Sequence, residues 1–526
     1  MRRHRKTTLL GGFAKEMTVA TAEYGLASIS ARQWLILLMV PLTTLLFGMT
    51  ITLVNVVLPQ MRGAFSATPD QIAWVVTSNL VATAVATPMT GWLANTLGWR
   101  NLLFFSVMGF TVSSLLCGLA TSLESLVLYR VGQGLFGAPI MPMGQAVLLA
   151  TFPRRMHALV MMIWGVGSVA GPVAGPVLGS MISETYTWRG AFFMIVPPGI
   201  AAMTCVWFAL SRHTDRRRTQ FDWTGFIALS VAISAAQLLM DRGQRLDWFE
   251  SLEIQIEAGV AIMALWIFVV HSLTAARPFL DPKLLLDRNF SIGLLVSFVM
   301  GMLSFTPMVL FPILLHDLRG YPDSLVGLLL ASRGIGNWLS FLIVVPMTRW
   351  NPRLAVGAGL AIQALSGFAM AQLDNNVTSF DVFWTNVLQG FGFGLAFTPM
   401  TVLAFATLPP GRMTEGTGIF HLVRSFGSSL FISATIVLLV RSTATNYSSL
   451  TEFVTPFNKA LGYPDVLGLW NMSTPVGLLT ISGEMQRQAA MIGFINAFYL
   501  FALTAAAAVP LAWLLRDVPR DKPDDA

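Results

Sequence analysis

Three arginines lie inside long apolar stretches of the sequence, where a charged side chain is costly. They are Arg130, Arg333 and Arg424, and His421 precedes the last of them by three residues, on the same helix face. An arginine at the centre of a bilayer costs roughly 2.5–3.5 kcal/mol on insertion scales, so it must face a cavity or a polar partner. Gln133, one turn after Arg130, is a candidate to share its hydrogen bonds. The alternative is a structural role, with backbone carbonyls as partners for Arg130 and a helix end for His421.

The composition places most of the chain in lipid. Of its 526 residues 55% are hydrophobic and only 11% are charged, whereas a soluble protein carries roughly a quarter charged residues. The net charge of +7 is spread over short gaps between apolar stretches, which argues against a nucleic-acid partner. Cys117 and Cys205 both lie inside apolar stretches, so neither a disulfide nor a cysteine metal site is expected.

Fourteen apolar stretches are long enough to cross the bilayer, for which a helix needs roughly 20 residues. They lie at about 34–59, 70–93, 101–120, 123–148, 158–182, 190–211, 222–240, 255–273, 289–314, 323–347, 354–373, 381–408, 415–440 and 490–515. The first stretch is too long for a cleaved signal, so we interpret it as a retained helix. The sequence therefore predicts an all-α polytopic membrane protein.

The distribution of lysine and arginine predicts the orientation. With both termini on one side of the membrane, 22 of the 33 basic residues fall on that side and 8 on the other. Short loops rich in lysine and arginine stay in the cytoplasm. We therefore expect a multi-pass protein of the cell inner membrane with both termini in the cytoplasm.

An internal repeat predicts how the stretches are grouped. Six residues recur 257 positions later: Gly137, Pro142, Met143, Pro153, Arg155 and Met156 return as Gly394, Pro399, Met400, Pro410, Arg412 and Met413. The predicted organisation is a tail at 1–33, a six-helix bundle at 34–211, two inserted helices with flanking loops at 212–288, a second six-helix bundle at 289–515, and a tail at 516–526. Two related bundles around a central site are the layout of a secondary transporter.

Glycine recurs at every fourth residue of the fifth stretch, and two of these glycines precede a proline. The residues are Gly167, Gly171, Pro172, Gly175, Pro176 and Gly179. Glycines at this spacing share one helix face and let a neighbouring backbone approach closely, while the prolines loosen the helix. A tight helix pair is one interpretation. The regularity of the run favours the other, which is a moving or sealing interface.

Several motifs, in the expected order along nearly the whole chain, carry a family resemblance. The glycine–proline run resembles the antiporter motif of drug:proton antiporters of the major facilitator superfamily. The segment 91–100, with Gly91, Asn95, Gly98 and Arg100, resembles the gating loop of that superfamily between helices 2 and 3, and 130–134 resembles its helix 4 arginine motif. The segments 52–59 and 238–249 are similar to the 14-helix branch and, within it, to EmrB-type multidrug exporters.

The resemblance implies proton coupling through Arg130, with Gln133, Thr50, Asn55, Arg333, His421 and Arg424 as further members of a coupling and substrate network. Two departures stand out, because Thr50 and Asn95 occupy positions that are usually acidic in the family. No acidic residue lies near the middle of any stretch, and Asp222, Glu257, Asp381 and Glu415 lie at stretch ends. The proton carrier is then His421, an end carboxylate reached through water, or an ionisable substrate group exchanged against Arg130.

These observations predict a secondary-active exporter of hydrophobic or amphipathic small molecules, driven by proton antiport. Without a central carboxylate to balance a lipophilic cation, we expect neutral or anionic substrates. The alternatives are an exporter of an endogenous anionic metabolite, a channel, or a non-transporting sensor or scaffold. The chain contains no phosphate-binding loop and no catalytic or metal-binding cluster, so neither an enzyme nor a cofactor is expected.

The long outer segment 441–489 is the predicted contact for other proteins. It begins rich in serine, threonine and asparagine and continues moderately apolar. The residues fit a solvated loop and a docking surface equally well. The family resemblance implies a periplasmic adaptor (membrane-fusion) protein and an outer-membrane channel as partners.

Overall fold

The described part of the chain is helical, without β-strands. The computed structural model describes residues 29–153, 156–210, 221–276, 278–409, 412–455, 457–459, 470–472 and 474–516. It contains 14 helices long and apolar enough to cross a membrane, which confirms the predicted number. We number them spans 1 to 14: Ala31–Ala64, Gln71–Leu97, Trp99–Leu119, Leu123–Thr151, His157–Ser183, Trp188–Ala209, Trp223–Leu246, Leu252–Thr274, Arg288–Leu318, Ser324–Trp350, Pro352–Met370, Ser379–Phe405, Met413–Thr451 and Pro475–Leu514. Parts of the predicted segments lie outside the described residues: 1–28 and 517–526 in the two tails, and Arg155 and Pro410 in the repeat.

Several spans change helix type or direction along their length. Proline removes a backbone donor and interrupts the hydrogen-bond ladder, which accounts for the breaks at Pro88 and Pro139. The interrupted spans are span 2 with the 3-10 turn Thr87–Met89, span 4 with Leu123–Gly137 and Ile140–Thr151, span 6 with Trp188–Phe193 and Val196–Ala209, span 9 with Arg288–Ile313 and the π-helical turn Leu314–Leu318, and span 14 with Pro475–Ala508 and Leu511–Leu514.

The spans form two bundles whose internal pairings match. In the first bundle, span 1 packs on span 5, span 2 on span 4, and span 3 on spans 4 and 6. In the second bundle the same pairs occur eight spans later: 9 on 13, 10 on 12, and 11 on 12 and 14. The sequence repeat therefore reflects two bundles of the same design, separated by the inserted spans 7 and 8.

The inserted pair bridges one flank of the two bundles. Span 7 packs on span 8, span 2 and span 13. The Thr77 hydroxyl of span 2 donates to the Asp241 carboxylate, and the Ser433 hydroxyl of span 13 donates to the Met240 carbonyl at 2.9 Å. Span 8 mostly faces the lipid, since only 11% of its most apolar stretch is buried within the protein.

Asp222, just before span 7, anchors the connection between the inserted pair and the second bundle. Its carboxylate accepts from the Gly225 and Phe279 amides at 3.0 and 2.9 Å and contacts His271 Nε2 at 2.8 Å. Burial alone would raise the pKa of Asp222, but these hydrogen bonds and the nearby histidine outweigh it and hold the pKa below its usual value. The carboxylate therefore stays ionised and fixes the start of the 275–287 connection.

Spans 13 and 14 extend well beyond the predicted stretches 415–440 and 490–515. The helix Met413–Thr451 contains 39 residues, about 58 Å at 1.5 Å per residue, whereas the hydrocarbon is about 30 Å thick. Much of the predicted loop 441–489 is therefore helical. The apolar sequence pattern stops where the hydrocarbon ends, but the helices continue beyond it. Hydrogen bonds between spans 13 and 14 hold these extensions together, from Tyr447 to Ser482 at 2.9 Å and from Asn496 to Ser442 at 2.7 Å. Residues 460–469 at the tip lie outside the described part.

The glycine face of span 5 packs against span 1 of the same bundle. A Cβ at Gly167, Gly171 or Gly175 would clash with the span 1 backbone at Pro41, Leu45 or Met49. Pro176 has no N–H to donate to the Pro172 carbonyl, and the Thr52 hydroxyl of span 1 donates to that carbonyl instead, at 2.9 Å. The glycines thus form a tight helix pair inside one bundle. The contact of span 5 with the other bundle lies elsewhere, for example where Val177 meets Gly327.

Gly171→Ala should destabilise the protein, because the added methyl group meets the Leu45 carbonyl and the Met49 amide. Overpacking of this kind costs about 1–3 kcal/mol, so the apparent melting temperature of the detergent-solubilised protein should fall by several degrees. Gly165→Ala in the same span is the control, since nothing lies within 4 Å of its added carbon. Equal melting temperatures for the two variants would contradict the close helix pair.

Candidate substrate and coupling site

A direct hydrogen bond between two buried polar side chains joins the two bundles. His421 of span 13 contacts Gln145 of span 4, with 2.7 Å between Nε2 and Oε1. Gln145 is fully buried and His421 is 6% exposed. Because the Gln145 oxygen accepts, Nε2 carries the imidazole proton in the neutral ring. Nδ1 is then the free acceptor, and it is buried without a partner among the described residues.

Aromatic rings from both bundles surround this contact. Trp164 of span 5 is fully buried, with its ring centroid 5.8 Å from that of His421 and 6.0 Å from that of Phe397. Phe397 stacks on Phe393 of the same span at 5.3 Å. The Trp164 indole N–H is buried without a hydrogen-bond partner among the described residues. This cluster thus combines apolar faces with unused polar atoms, as a site for amphipathic molecules requires.

Two arginines extend the cluster, and neither is neutralised. Arg424 lies 5.5 Å from the Phe397 ring centroid and donates only to the Met141 sulfur, at 3.6 Å. Arg333 donates to the Ser304 carbonyl, lies 5.1 Å from the Phe393 ring centroid, and leaves its Nε unpaired. Within the described residues neither forms an ion pair. Arg424 therefore brings a positive charge to the surface between the bundles, and Arg333 lies beyond it within the second bundle.

Arg130 occupies a different place, inside the first bundle. Its side chain is 1% exposed and donates to the Val75 carbonyl at 3.0 Å and to the Gln133 oxygen. Gln133 in turn donates to Ser114 at 2.7 Å, and Asn79 donates to the Arg130 carbonyl at 3.0 Å. This network joins spans 2, 3 and 4. It matches the structural alternative for Arg130, with Gln133 as the shared partner.

The other predicted network residues are not brought to the cluster by any contact in the described structure. Thr50 is 2% exposed and donates to the Leu46 carbonyl of its own helix at 2.8 Å. Asn55 is exposed in the second half of span 1. Neither residue forms a hydrogen bond with His421 or the arginines within the described structure.

The gating-loop residues lie where the end of span 2 meets the start of span 13. A Cβ at Gly91 would lie 3.1 Å from the Glu415 backbone, so the two bundles touch here. Gly98 has a φ of 82°, which glycine adopts without strain, and turns the chain between spans 2 and 3. Arg100 lies 3.9 Å from the Trp207 ring centroid, and Asn95 is exposed.

Sequence reasoning missed Gln145 and Trp164, which complete the cluster from the first bundle. Gln145 is an amide in an otherwise apolar stretch, and that signal could have been read. Trp164 gave no such signal, because tryptophan is common throughout the spans. Glu415 lies at the end of a predicted stretch. Its carboxylate accepts from the Asp281 amide at 3.0 Å. The Asp281 carboxylate in turn forms an ion pair with Arg412, also at 3.0 Å.

Gln133→Leu should destabilise the first bundle, because it leaves the Arg130 guanidinium and the Ser114 hydroxyl without their buried partner. An orphaned buried donor costs about 1–3 kcal/mol and more when it is charged, so the melting temperature should fall clearly. Gln488→Leu is the control, since Gln488 is exposed and donates to Glu484 of its own helix. A Gln133→Leu protein as stable as the control would contradict the structural role of this network.

Comparison with known proteins agrees with this architecture. The sequence matches the Major Facilitator Superfamily over residues 42–432. It is 30% identical to the multidrug export protein EmrB of Escherichia coli K12 over 474 residues, covering 88% of this chain and 92% of that protein. It is also 30% identical to the fatty acid resistance protein FarB of Neisseria gonorrhoeae over 468 residues, with the same coverage.

Solved structures show the same fold at low sequence identity. The human organic anion transporter MFSD10 aligns with a TM-score of 0.58 at 12% identity, covering 91% of this chain and 100% of that one. The proton:xylose symporter XylE aligns with a TM-score of 0.59 at 13% identity, covering 91% and 95%. The family match spans most of the chain, and the relatives at 30% identity include a multidrug export protein that this chain matches over most of its length. This chain therefore belongs to the Major Facilitator Superfamily, among its EmrB-type multidrug exporters.

Proposed function

We propose that this exporter prefers amphipathic organic anions, such as fatty acids, and binds them between the two bundles at Arg424. The observation that carries this proposal is the pair Arg333 and Arg424, which forms no ion pair within the described residues and lies against aromatic faces. An acidic headgroup would neutralise the guanidinium, and the Phe393, Phe397 and Trp164 rings would contact the apolar tail. The fatty acid resistance protein among the relatives is consistent with such a substrate.

His421 is the proposed proton carrier. It is the titratable group that connects the two bundles, and its Nδ1 is free to accept a proton while Nε2 donates to Gln145. Protonation would place a second positive charge beside Arg424, and the repulsion between the two charges favours separation of the bundles. Departure of the proton would restore the neutral contact. The proton and the substrate would thus act on the same interface between the bundles.

The proposed orientation places both termini in the cytoplasm, on the side where span 2 ends and span 13 begins. The basic residues of the sequence favour this side. Spans 13 and 14 then project from the opposite, extracytoplasmic face. Their extension exposes large apolar side chains above the membrane level, including Val476 and Leu479, each 73% exposed. We propose this projecting pair as the contact for a periplasmic adaptor protein.

Arg424→Gln should weaken binding of decanoate by tenfold or more, about 1.4 kcal/mol, because the carboxylate loses its cation. Binding of decanol, which shares the chain length, should change by less than about twofold, and binding of decyltrimethylammonium should not weaken. Calorimetry on the purified protein measures all three, with Arg441→Gln, an exposed arginine of the same span, as the control. Tighter wild-type binding of the cation than of the anion would overturn the anion preference.

His421→Asn should uncouple transport from the proton gradient, because an amide can still bond to Gln145 but cannot take up a proton. In proteoliposomes the pH-driven flux should fall to near background, while substrate exchange at equal pH on both sides should stay within about threefold of wild type. An unchanged pH-driven flux would exclude His421 as the carrier. Loss of both fluxes together with normal folding would assign it to substrate binding instead.

Leu479→Asp should abolish resistance in intact cells but leave transport by the purified protein in vesicles unchanged. The docking surface is needed only in cells, where the adaptor protein takes part in transport. Thr480→Asp, the exposed neighbour on the same helix, is the matched control and should keep both activities. If Leu479→Asp cells remained as resistant as the control, the projecting pair would not be the docking surface.

A further inference from the structure

A second cavity lies outside the central cluster, in the second bundle on the side away from the termini. Its volume is 790 Å³, within the range of sites for drug-sized ligands. Three helices form its walls, each with one continuous face: the end of span 9, the outer part of span 13 and the start of span 14. None of the residues assigned to substrate or proton binding lines it.

The floor of this groove is apolar and its mouth is charged. Three apolar side chains line it, one from each helix: Leu439 and Phe494, which are buried, and Ile313, which is half-buried. The mouth carries Asp317 and Arg487, with opposite charges. The Asp317 side chain is 62% exposed and contacts only the adjacent His316 ring, at 3.1 Å. The groove therefore offers one hydrocarbon-lined slot with an anion and a cation at its entrance.

Arg487 lines the groove and is not fully hydrogen-bonded within the described structure. Its Nε atom is buried and has no hydrogen-bond partner among the described residues, although it lines the groove. Within the described part of the chain its ion pair is a long one, 3.7 Å from Nη1 to Glu484 of the preceding turn, and the side chain as a whole is 43% exposed. A buried guanidinium nitrogen without a partner in the protein calls for an acceptor from outside it, and a phosphate or carboxylate supplies one.

The local backbone holds the groove open. Span 9 ends in the π-helical turn Leu314–Leu318, which widens the helix where Asp317 projects, and such turns are frequent at functional sites. On the opposite wall, spans 13 and 14 are fixed to each other by the hydrogen bond between Tyr447 and Ser482. Gly483 and Ala490 line the groove with minimal side chains, which leaves the space unfilled.

We infer that this groove binds a zwitterionic amphiphile with a single alkyl chain in the slot, its phosphate at Arg487 and its ammonium group at Asp317. The apolar floor matches the chain, and the pair of opposite charges matches a phosphoethanolamine-type headgroup better than a purely anionic or cationic one. The level of the groove, at the outer ends of spans 9, 13 and 14, is where lipid headgroups lie. Both a bilayer lipid and a free lysolipid carry this chemistry. The inference does not depend on the proposed substrate.

The test uses three probes with the same chain and different headgroups: oleoyl-lysophosphatidylethanolamine, oleate and oleylamine. Calorimetry on the purified full-length protein should show tightest binding of the zwitterion. Arg487→Gln and Asp317→Asn should each weaken that binding about tenfold. Ala490→Trp, which fills the slot, should abolish it, and Gln488→Trp, an exposed position at the same height, should leave it unchanged.

The outcomes separate this site from the central one and identify the source of the ligand. Decanoate binding sensitive to Arg424→Gln should persist in Ala490→Trp, so either proposal can fail without the other. Native mass spectrometry of protein from phosphatidylethanolamine nanodiscs should show a retained phospholipid if the source is the bilayer, and only added lysolipid if it is free amphiphile. Equal binding of all three probes, or zwitterion binding unaffected by Ala490→Trp, would overturn the inference.

Discussion

Hydrocarbon supplies no hydrogen-bond partner, so every polar group inside the 14 spans must be satisfied by the protein or by its ligand. In most places, a nearby carbonyl or side chain of the protein supplies the hydrogen-bond partner. Thr52 donates to the carbonyl that Pro176 leaves free, and Arg130 donates to Val75 and Gln133. Buried polar atoms without a partner among the described residues occur in both bundles and in span 8. Two of them, the Trp164 indole nitrogen and His421 Nδ1, lie in the cluster between the bundles.

The charged residues inside the spans differ in whether they lie within one bundle or between the two. Arg130, the residue most strongly associated with coupling by family resemblance, is fully enclosed within one bundle and has backbone and amide partners. Arg424 and His421 lie instead where two bodies must separate for alternating access. Binding energy at such an interface can be used to move the bundles, because the contacts differ between the closed and open states. The inserted pair, bonded to both bundles through Met240 and Asp241, borders that movement on one flank.

Much of the fold could be predicted from hydropathy, because length and apolarity alone define a membrane span. The sequence repeat predicted two related bundles, since Gly137 of span 4 and Gly394 of span 12 occupy equivalent positions in it. The extensions of spans 13 and 14 could not be predicted in this way, because helices in water carry no apolar run of bilayer length. The partner of the span 5 glycines also needed the structure. Their spacing shows that a backbone approaches, and only the contacts with Pro41, Leu45 and Met49 show that it belongs to span 1.

The site was predictable in its charged members and not in its geometry. Arg333, Arg424 and His421 are conspicuous in apolar sequence, but their partner Gln145 lies 276 residues away along the chain. A cryo-electron microscopy structure of the protein with bound decanoate would show directly whether the anion lies at Arg424. We expect carboxylate density within about 4 Å of the Arg424 guanidinium, with the alkyl chain against Phe397 and Trp164. Density for the carboxylate at Arg130, or an Arg424 side chain that keeps no anion at saturating ligand, would contradict it.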